Sequence, residues 1–336
     1  MTYTMLLWPH ANVRYQNETL KLAMGELRLM LDALLPEAEV SVCEGFILPA
    51  LQIDAPGALA SDVLAALRAH SLMYGLFERR EDGSLLPVAG RSEACVGADL
   101  PGILKYKGKT NEMFLQLLIN AALWSGGFAH RSGERLELLD PMCGRATSLF
   151  VAVNRGWNAA GTDVDKRDLS EAERFLKHYF EFHRMKHGLT RESRTVGGRS
   201  VPVWRFEFAG DAERFREGDK QSLRLANADA ARVRDIFGRE KFHMIVCDLP
   251  SGVQHSAVGG KPEDILQRAL PAWREALKKG GTVAVSFNAQ TLRREKVLKL
   301  LEDAGFEAKR GGAHEGFSHW VEQAVTRDIA VGRRKN

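Results

Sequence analysis

Residues 138–147 read Leu-Leu-Asp-Pro-Met-Cys-Gly-Arg-Ala-Thr. Two apolar residues run into an acid, a tight turn of small residues follows, and a helix opens near Thr147. An α/β sheet uses this arrangement to bring backbone N–H groups up to a nucleotide-like ligand. About twenty residues on, 159–165 read Ala-Ala-Gly-Thr-Asp-Val-Asp and end a second strand with carboxylates placed to accept hydrogen bonds from a ribose.

Further along, Ala-Asn-Ala-Asp-Ala-Ala at 226–231 ends a strand near Asp229. That carboxylate can accept from an adenine amino group or cap the helix behind it. Met-Ile-Val-Cys-Asp-Leu-Pro-Ser-Gly at 244–252 puts Asp248 at the carboxyl end of another strand, before a Pro-containing loop, where open α/β sheets place chemistry. Ala-Leu-Lys-Lys-Gly-Gly-Thr-Val-Ala-Val at 276–285 reads as helix end, glycine turn and strand. Four successive strand ends are thus expected to offer an acid or a glycine turn.

Around these stretches, strands over 136–140, 158–164, 222–227, 242–248 and 281–287 alternate with helices over 147–155, 168–187, 230–237, 263–278 and 291–304, and 322–331 reads as a last strand. Strands separated by helices predict a Rossmann-like, doubly wound, mostly parallel sheet. The front of the chain has a different rhythm: strand 2–8, helix 17–35, strands 40–43 and 46–53, a helix 61–70 capped by Ser61, and strand 71–78. The order β-α-β-β-α-β is that of a ferredoxin-like α+β sandwich. Turn residues over 83–99 read as a linker. The predicted division is 1–94 and 95–336, with a basic insertion around 184–218 that holds a small hairpin.

The chain has 336 residues, 45% of them hydrophobic, which suits ordered globular domains. Cys43, Cys95, Cys143 and Cys247 form no Cys-x-x-Cys pair, so a zinc knuckle or a disulfide framework is not expected. With no signal-like start and no apolar run long enough to span a bilayer, the reading is a cytoplasmic protein without a membrane partner. The net charge of +4 is unevenly spread: residues 1–100 carry 7 Lys+Arg against 13 Asp+Glu. An anionic partner is therefore expected on the second domain.

Asp-Pro-Met-Cys-Gly-x-x-Thr, Gly-x-Asp-x-Asp, Ala-Asp-Ala and Asp-x-Pro-x-Gly, in this order, resemble class I S-adenosylmethionine-dependent methyltransferases. The branch they resemble most is that of the tRNA N2-guanosine methyltransferases and related putative RNA methylases. Lys105-Tyr106-Lys107-Gly108-Lys109-Thr110-Asn111-Glu112 is similar to the segment leading into that domain, and the resemblance covers 95–330. It implies S-adenosyl-L-methionine as cofactor. Asp140, Met142 and Gly144 would lie at its methionine part, Asp163 at the ribose and Asp229 at the adenine, with Thr147 a further cofactor contact. Asp248, Pro250 and Ser251 would form the catalytic loop, which holds the amine to be methylated. Lys107, Lys109, His255 and Phe317 are candidate substrate contacts.

Three departures stand out, the first two bearing on the substrate and the third narrowing the cofactor turn. Leu249 stands for a usual proline, Ser251 for an aromatic residue that stacks on a flipped base, and Ala146 for a usual glycine. The short front leaves little room for an RNA-binding THUMP module beside the ferredoxin-like unit, and its acidic balance opposes phosphate contact. RNA, most of all tRNA, is favoured by the resemblance and the basic second domain, whereas a small molecule or peptide is favoured by Ser251 and the acidic front. A binding module without catalysis is the third reading. Oligomeric state is left open.

Between Lys166 and Arg205, ten Lys/Arg meet five Asp/Glu with Phe175, Tyr179, Phe180 and Phe182 interleaved, as in a nucleic-acid-facing helix or an amphipathic helix with its aromatics turned inward. His183 and His187, one helical turn apart, lack a third ligand, so no metal is expected. Residues 102–110 nearly spell a phosphate loop, but five residues separate the glycines and no strand precedes them, which excludes ATP binding.

Overall fold

The computed structural model describes residues 1–9, 13–88, 95–251 and 260–335. The front of the chain runs β1 (Thr2–Leu7), α1 (Val13–Leu34), β2 (Glu39–Val42), β3 (Ala50–Asp54), α2 (Ser61–Arg68), β4 (Met73–Arg79) and β5 (Leu85–Pro87). Its sheet is antiparallel throughout, in the order β2-β3-β1-β4-β5. The first four strands have the order of a ferredoxin-like sandwich. Apolar residues at every third or fourth position of α1 produce a stripe, and Leu27, Met30 and Leu31 bury it against Met5, Leu7, Leu51 and Ile53. Two expectations change. The predicted linker contains β5, paired with β4, and Ser61 is the first helical residue while Ala60 takes the cap position without a side-chain bond. The predicted boundary at 94 lies outside the described residues.

The second part continues with α3 (Leu100–Ile103), α4 (Glu112–Trp124), β6 (Glu137–Asp140), α5 (Thr147–Asn154), β7 (Asn158–Asp163), α6 (Lys166–Phe182), β8 (Lys186–Val196) and β9 (Arg199–Ala209). It ends with α7 (Ala212–Glu217), β10 (Gln221–Asn227), α8 (Val233–Phe237), β11 (Phe242–Asp248), α9 (Pro262–Ala276), β12 (Leu277–Asn288), α10 (Arg294–Asp303), β13 (Phe306–Ala308), β14 (His319–Glu322) and β15 (Val325–Arg334). The main path of this sheet is β13-β15-β12-β11-β6-β7-β10-β9-β8. The five strands from β12 to β10 are parallel, while β15, β13, β9 and β8 run against their neighbours. This is the expected Rossmann-like, mostly parallel sheet.

Both faces of the central strands are covered, so their residues alternate between two cores. Leu138, Ala159, Leu225 and Val246 face the side of α4, α5 and α6, and Leu139, Ala160, Ala226 and Cys247 face that of α8, α9 and α10. The first of these cores is continuous with that of the front sheet. A buried polar cluster accompanies it. Glu26 of α1 accepts bonds from Ser71 and from Asn120 of α4, and Arg155, just past α5, donates to Asn120. Burial pulls the Arg155 guanidinium down to about 10.

The hairpin expected as a small insertion is instead a pair of eleven-residue strands. β9 pairs along β10 and widens the main sheet. Gly197 and Gly198, at φ +55° and +76°, make the tight turn that only positive-φ residues allow in a two-residue hairpin loop. The helix expected over 168–187 ends at Phe182. His187 therefore lies on β8 and not one helical turn from His183, and no group of residues able to hold a metal occurs among the described residues. Gly280 and Gly281 lie where β12 begins, at the amino edge of the sheet. There the register with β11 shifts, and an added Cβ on Gly281 would sit 2.9 Å from the His243 carbonyl. This glycine turn is a bulge away from the crevice. At its carboxyl end β12 contributes Asn288. No helix of the described residues is long and apolar enough to cross a membrane.

Candidate functional site

The strand order reverses at β6, and the crevice outside the carboxyl ends of strands at such a point is where open α/β sheets bind ligands. Five strand ends converge there, at Asp140, Asp163, Asn227, Asp248 and Asn288. Two adjoining spaces share Met142. One, of about 260 Å³, is lined by Tyr106, Lys107, Thr110, Asp140, Gly144 and Asp248 among others. The other, a slot of about 30 Å³, lies between Pro141, Val164, Ala228, Asp229, Ile265 and Arg268. A wider, open concavity of about 810 Å³ runs along the front sheet beside Met1, Gln52 and Glu78. Its lining comes from the start of β1, from β3 and from the end of β4 with the turn that follows.

The turn after β6 is held by its neighbour. Cys143 N–H donates to the Thr162 carbonyl at 3.0 Å, Gly144 N–H to Asp163 Oδ2 at 2.8 Å, and Thr162 Oγ1 to the Pro141 carbonyl at 2.7 Å. Gly161 is required by this contact, because a Cβ there would meet Cys143 Sγ at 2.6 Å. Gly144 has φ +50° and Ala146 φ +67°, just ahead of α5. The alanine thus occupies a left-handed position that costs a residue with a Cβ about 1–2 kcal/mol, which accounts for the usual glycine.

Asp140 is buried. Its oxygens accept from Met142 N–H at 3.0 Å and from the Ser148 hydroxyl. Burial drives its carboxyl up to about 7, opposed by these two bonds and assisted by the charges of Asp163 and Asp248. Burial also raises Asp163, against the pull of bonds from Asp165 and Gly144. Asp165 caps α6 through Arg167 N–H. Asp229 caps the short turn after β10 through Ala231 N–H at 2.8 Å and pairs with Arg268 at 3.1 Å. Thr147 meets the Tyr106 hydroxyl at 3.2 Å, and the Arg145 guanidinium lies 4.5 Å over the Tyr106 ring.

Asp248 is held differently. Its Oδ2 accepts from Thr110 Oγ1 at 2.7 Å and lies 3.3 Å from an Arg327 nitrogen. Its Oδ1 is buried, without a hydrogen-bond partner among the described residues. Behind it, Leu249 is buried and donates to the Ser286 carbonyl, while the Ser251 carbonyl accepts from Asn288.

The structure brings Asp140, Met142, Gly144, Thr147, Asp163, Asp229 and Asp248 to this crevice, with Lys107 exposed at the cavity wall. It does not bring Lys109, whose ammonium turns to the Pro101 carbonyl and Glu112. Nor does it bring Phe317, which is fully buried against Gly25 in the core. His255 lies outside the described residues. On α6, Tyr179 and Phe180 pack inward and Phe182 is exposed. The sequence reading missed Thr110, Tyr106, Arg268 and Arg327. Thr110 and Tyr106 lie inside the quoted 105–112 segment, whereas nothing in the local pattern marks Arg327.

The sequence matches no protein-family model and no curated protein. Among solved structures, the chain is similar to a TehB-like SAM-dependent methyltransferase from Corynebacterium glutamicum (TM-score 0.36, 16% identity, 60% of this chain and 80% of that one). It is also similar to the magnesium protoporphyrin IX methyltransferase of Synechocystis PCC 6803 with bound SAM (0.41, 13%, 68% and 87%) and to a ribosomal protein L11 methylase from Lactobacillus delbrueckii subsp. bulgaricus (0.38, 14%, 66% and 78%). Likeness at this level leaves the chemistry of this chain to be argued from its own residues.

Proposed function

We propose that the protein is an S-adenosylmethionine-dependent methyltransferase that methylates an amine in RNA, tRNA most of all. The observation that carries this reading is the ring of acids around one crevice, in which, among the described residues, Asp248 alone keeps a buried oxygen without a protein partner. The residues suit the cofactor. Asp140 offers a negative charge beside the glycine turn to an amino-acid ammonium, and Asp163 has lone pairs left for ribose hydroxyls. Val164 and Ile265 offer apolar walls to an adenine, with Asp229 at the edge of the slot. When bound, S-adenosylmethionine supplies a methyl group on a positively charged sulfur, which leaves as a neutral thioether. Asp248 Oδ1 accepts an N–H of the acceptor amine, and the Pro250 carbonyl accepts a second, so that the nitrogen lone pair is aimed at the methyl; once methylated, the cationic nitrogen gives up one of these protons to the Asp248 carboxylate. Catalysis here is positioning, since the leaving group needs no acid.

The basic residues of 166–205 support an RNA acceptor. One observation favours a small molecule or peptide: the described part of the loop after Asp248 carries no aromatic ring, and the buried Phe317 cannot supply one. Stacking on a flipped base is worth about 1–3 kcal/mol, so its loss weakens the guanine reading.

Calorimetry with S-adenosylmethionine and transfer of labelled methyl to bulk tRNA test the proposal together. Binding of the donor with labelled product is the expected result, and absence of donor binding overturns it. Contact through many phosphates makes tRNA affinity fall steeply with salt. Salt-independent binding, or transfer only to small molecules, moves the assignment to the second reading.

A further inference from the structure

We propose that Thr110 and Arg327 position Asp248 and restrict the acceptor end of the crevice to neutral amines, against alkylammonium ions. The inference rests on reading the crevice as the donor site.

Three elements meet at Asp248. It ends β11, Thr110 precedes α4, and Arg327 lies on β15 opposite Asn288 at the end of β12. Thr110 and Arg327 both engage Oδ2, at 2.7 and 3.3 Å. Arg327 is itself fixed, with its guanidinium 4.7 Å over the Phe114 ring. Two donors from separate elements on one oxygen leave the carboxylate a single orientation, in which Oδ1 has no partner among the described residues and is open to a donor. The side chains of Arg327 and Asp248 are only 22% and 14% exposed, so water screens the pair little.

Selectivity follows from the charges. A carboxylate in contact with a guanidinium presents little net charge to a third group, yet its free oxygen still accepts a hydrogen bond. An aryl or amide-like amine, uncharged at neutral pH, donates N–H to Oδ1 at no electrostatic cost. An alkylammonium ion in the same place brings a second cation close to Arg327. It also has no lone pair to offer until it loses a proton.

Two donor analogues read this without any acceptor. S-Adenosylhomocysteine has a neutral sulfur. Sinefungin carries an ammonium where the methyl would be, facing the acceptor position. Calorimetry on the whole protein gives the ratio of their affinities for the native sequence, Arg327→Met, Arg327→Gln and Arg327→Lys. Removing the cation shifts the ratio toward sinefungin by about tenfold in the Met and Gln variants, and Lys leaves it near the native value. A merely structural role for Arg327 weakens both ligands together and leaves the ratio unmoved. An unmoved ratio, with S-adenosylhomocysteine still binding, overturns the proposal. Failure of the native protein to bind S-adenosylhomocysteine overturns the donor reading instead.

Discussion

The two ends of the crevice use the same residue type in opposite ways. On the side of β6, β7 and β10, Asp140, Asp163 and Asp229 each accept backbone N–H groups, so each acid builds a turn or a cap as well as facing the space. At the end of β11, Asp248 is held by side chains from two distant segments and keeps one oxygen for something else. An acid already bonded to the backbone tolerates a ligand at its remaining lone pairs. An acid whose buried oxygen has no protein partner among the described residues is open to a donor from a ligand, and a buried acceptor left unmet costs about 1–3 kcal/mol. The first kind shapes a site and the second awaits a partner.

The sharpest way to break this contrast is Asp248→Ala. Loss of the amine's acceptor lowers turnover with tRNA by about 100-fold or more while donor affinity, measured by calorimetry, stays within a few-fold of native. Equal loss of both would make Asp248 one more shaping residue. Asp163→Ala has the converse effect. It removes the bond to Gly144 and the ribose acceptor together, and donor affinity falls by about 2 kcal/mol, roughly 30-fold.

Asp140 gives the contrast a pH signature. With its carboxyl near 7, it is ionised above that value and neutral below it. Donor affinity, which needs the charge, is about tenfold weaker at pH 6 than at pH 8, and Asp140→Asn flattens the dependence. In the free protein the sign is reversed for stability. Burial favours the neutral acid, so its contribution is complete below the ordinary carboxylate range and is lost as pH rises through about 7.

Asp229→Ala costs about 1 kcal/mol as a lost cap, read as a lower melting temperature, and its exposed pair with Arg268 adds little. The smallest effect is expected at Ala146. Replacement by glycine relieves the left-handed strain but adds chain entropy in the unfolded state, for a net gain of less than about 1 kcal/mol in chemical denaturation. A large destabilisation would mean that the turn is held by the alanine methyl.

Much of the second part was legible because its signals are local. Strand 242–248 was placed at its observed ends, since a run of buried apolar residues closed by Asp-Leu-Pro has one reading. Residues 201–208 of β9 alternate in burial for much of their length, but the sequence does not say that their hairpin will extend the main sheet, because pairing to β10 is a choice among edges. Helix 168–187 was drawn too long because apolar spacing continues past Phe182, where Arg184 takes φ +52° and turns the chain.

The sequence by itself determined the five central parallel strands and the acids that close β6, β7 and β11, because turns, caps and periodicity are set by neighbours along the chain. Only the tertiary structure decided which acid keeps a vacant oxygen, that Thr110 and Arg327 hold it, that Lys109 points away and that Phe317 is core. Burial and partnership depend on segments brought together from far apart in the chain, and no local pattern encodes them.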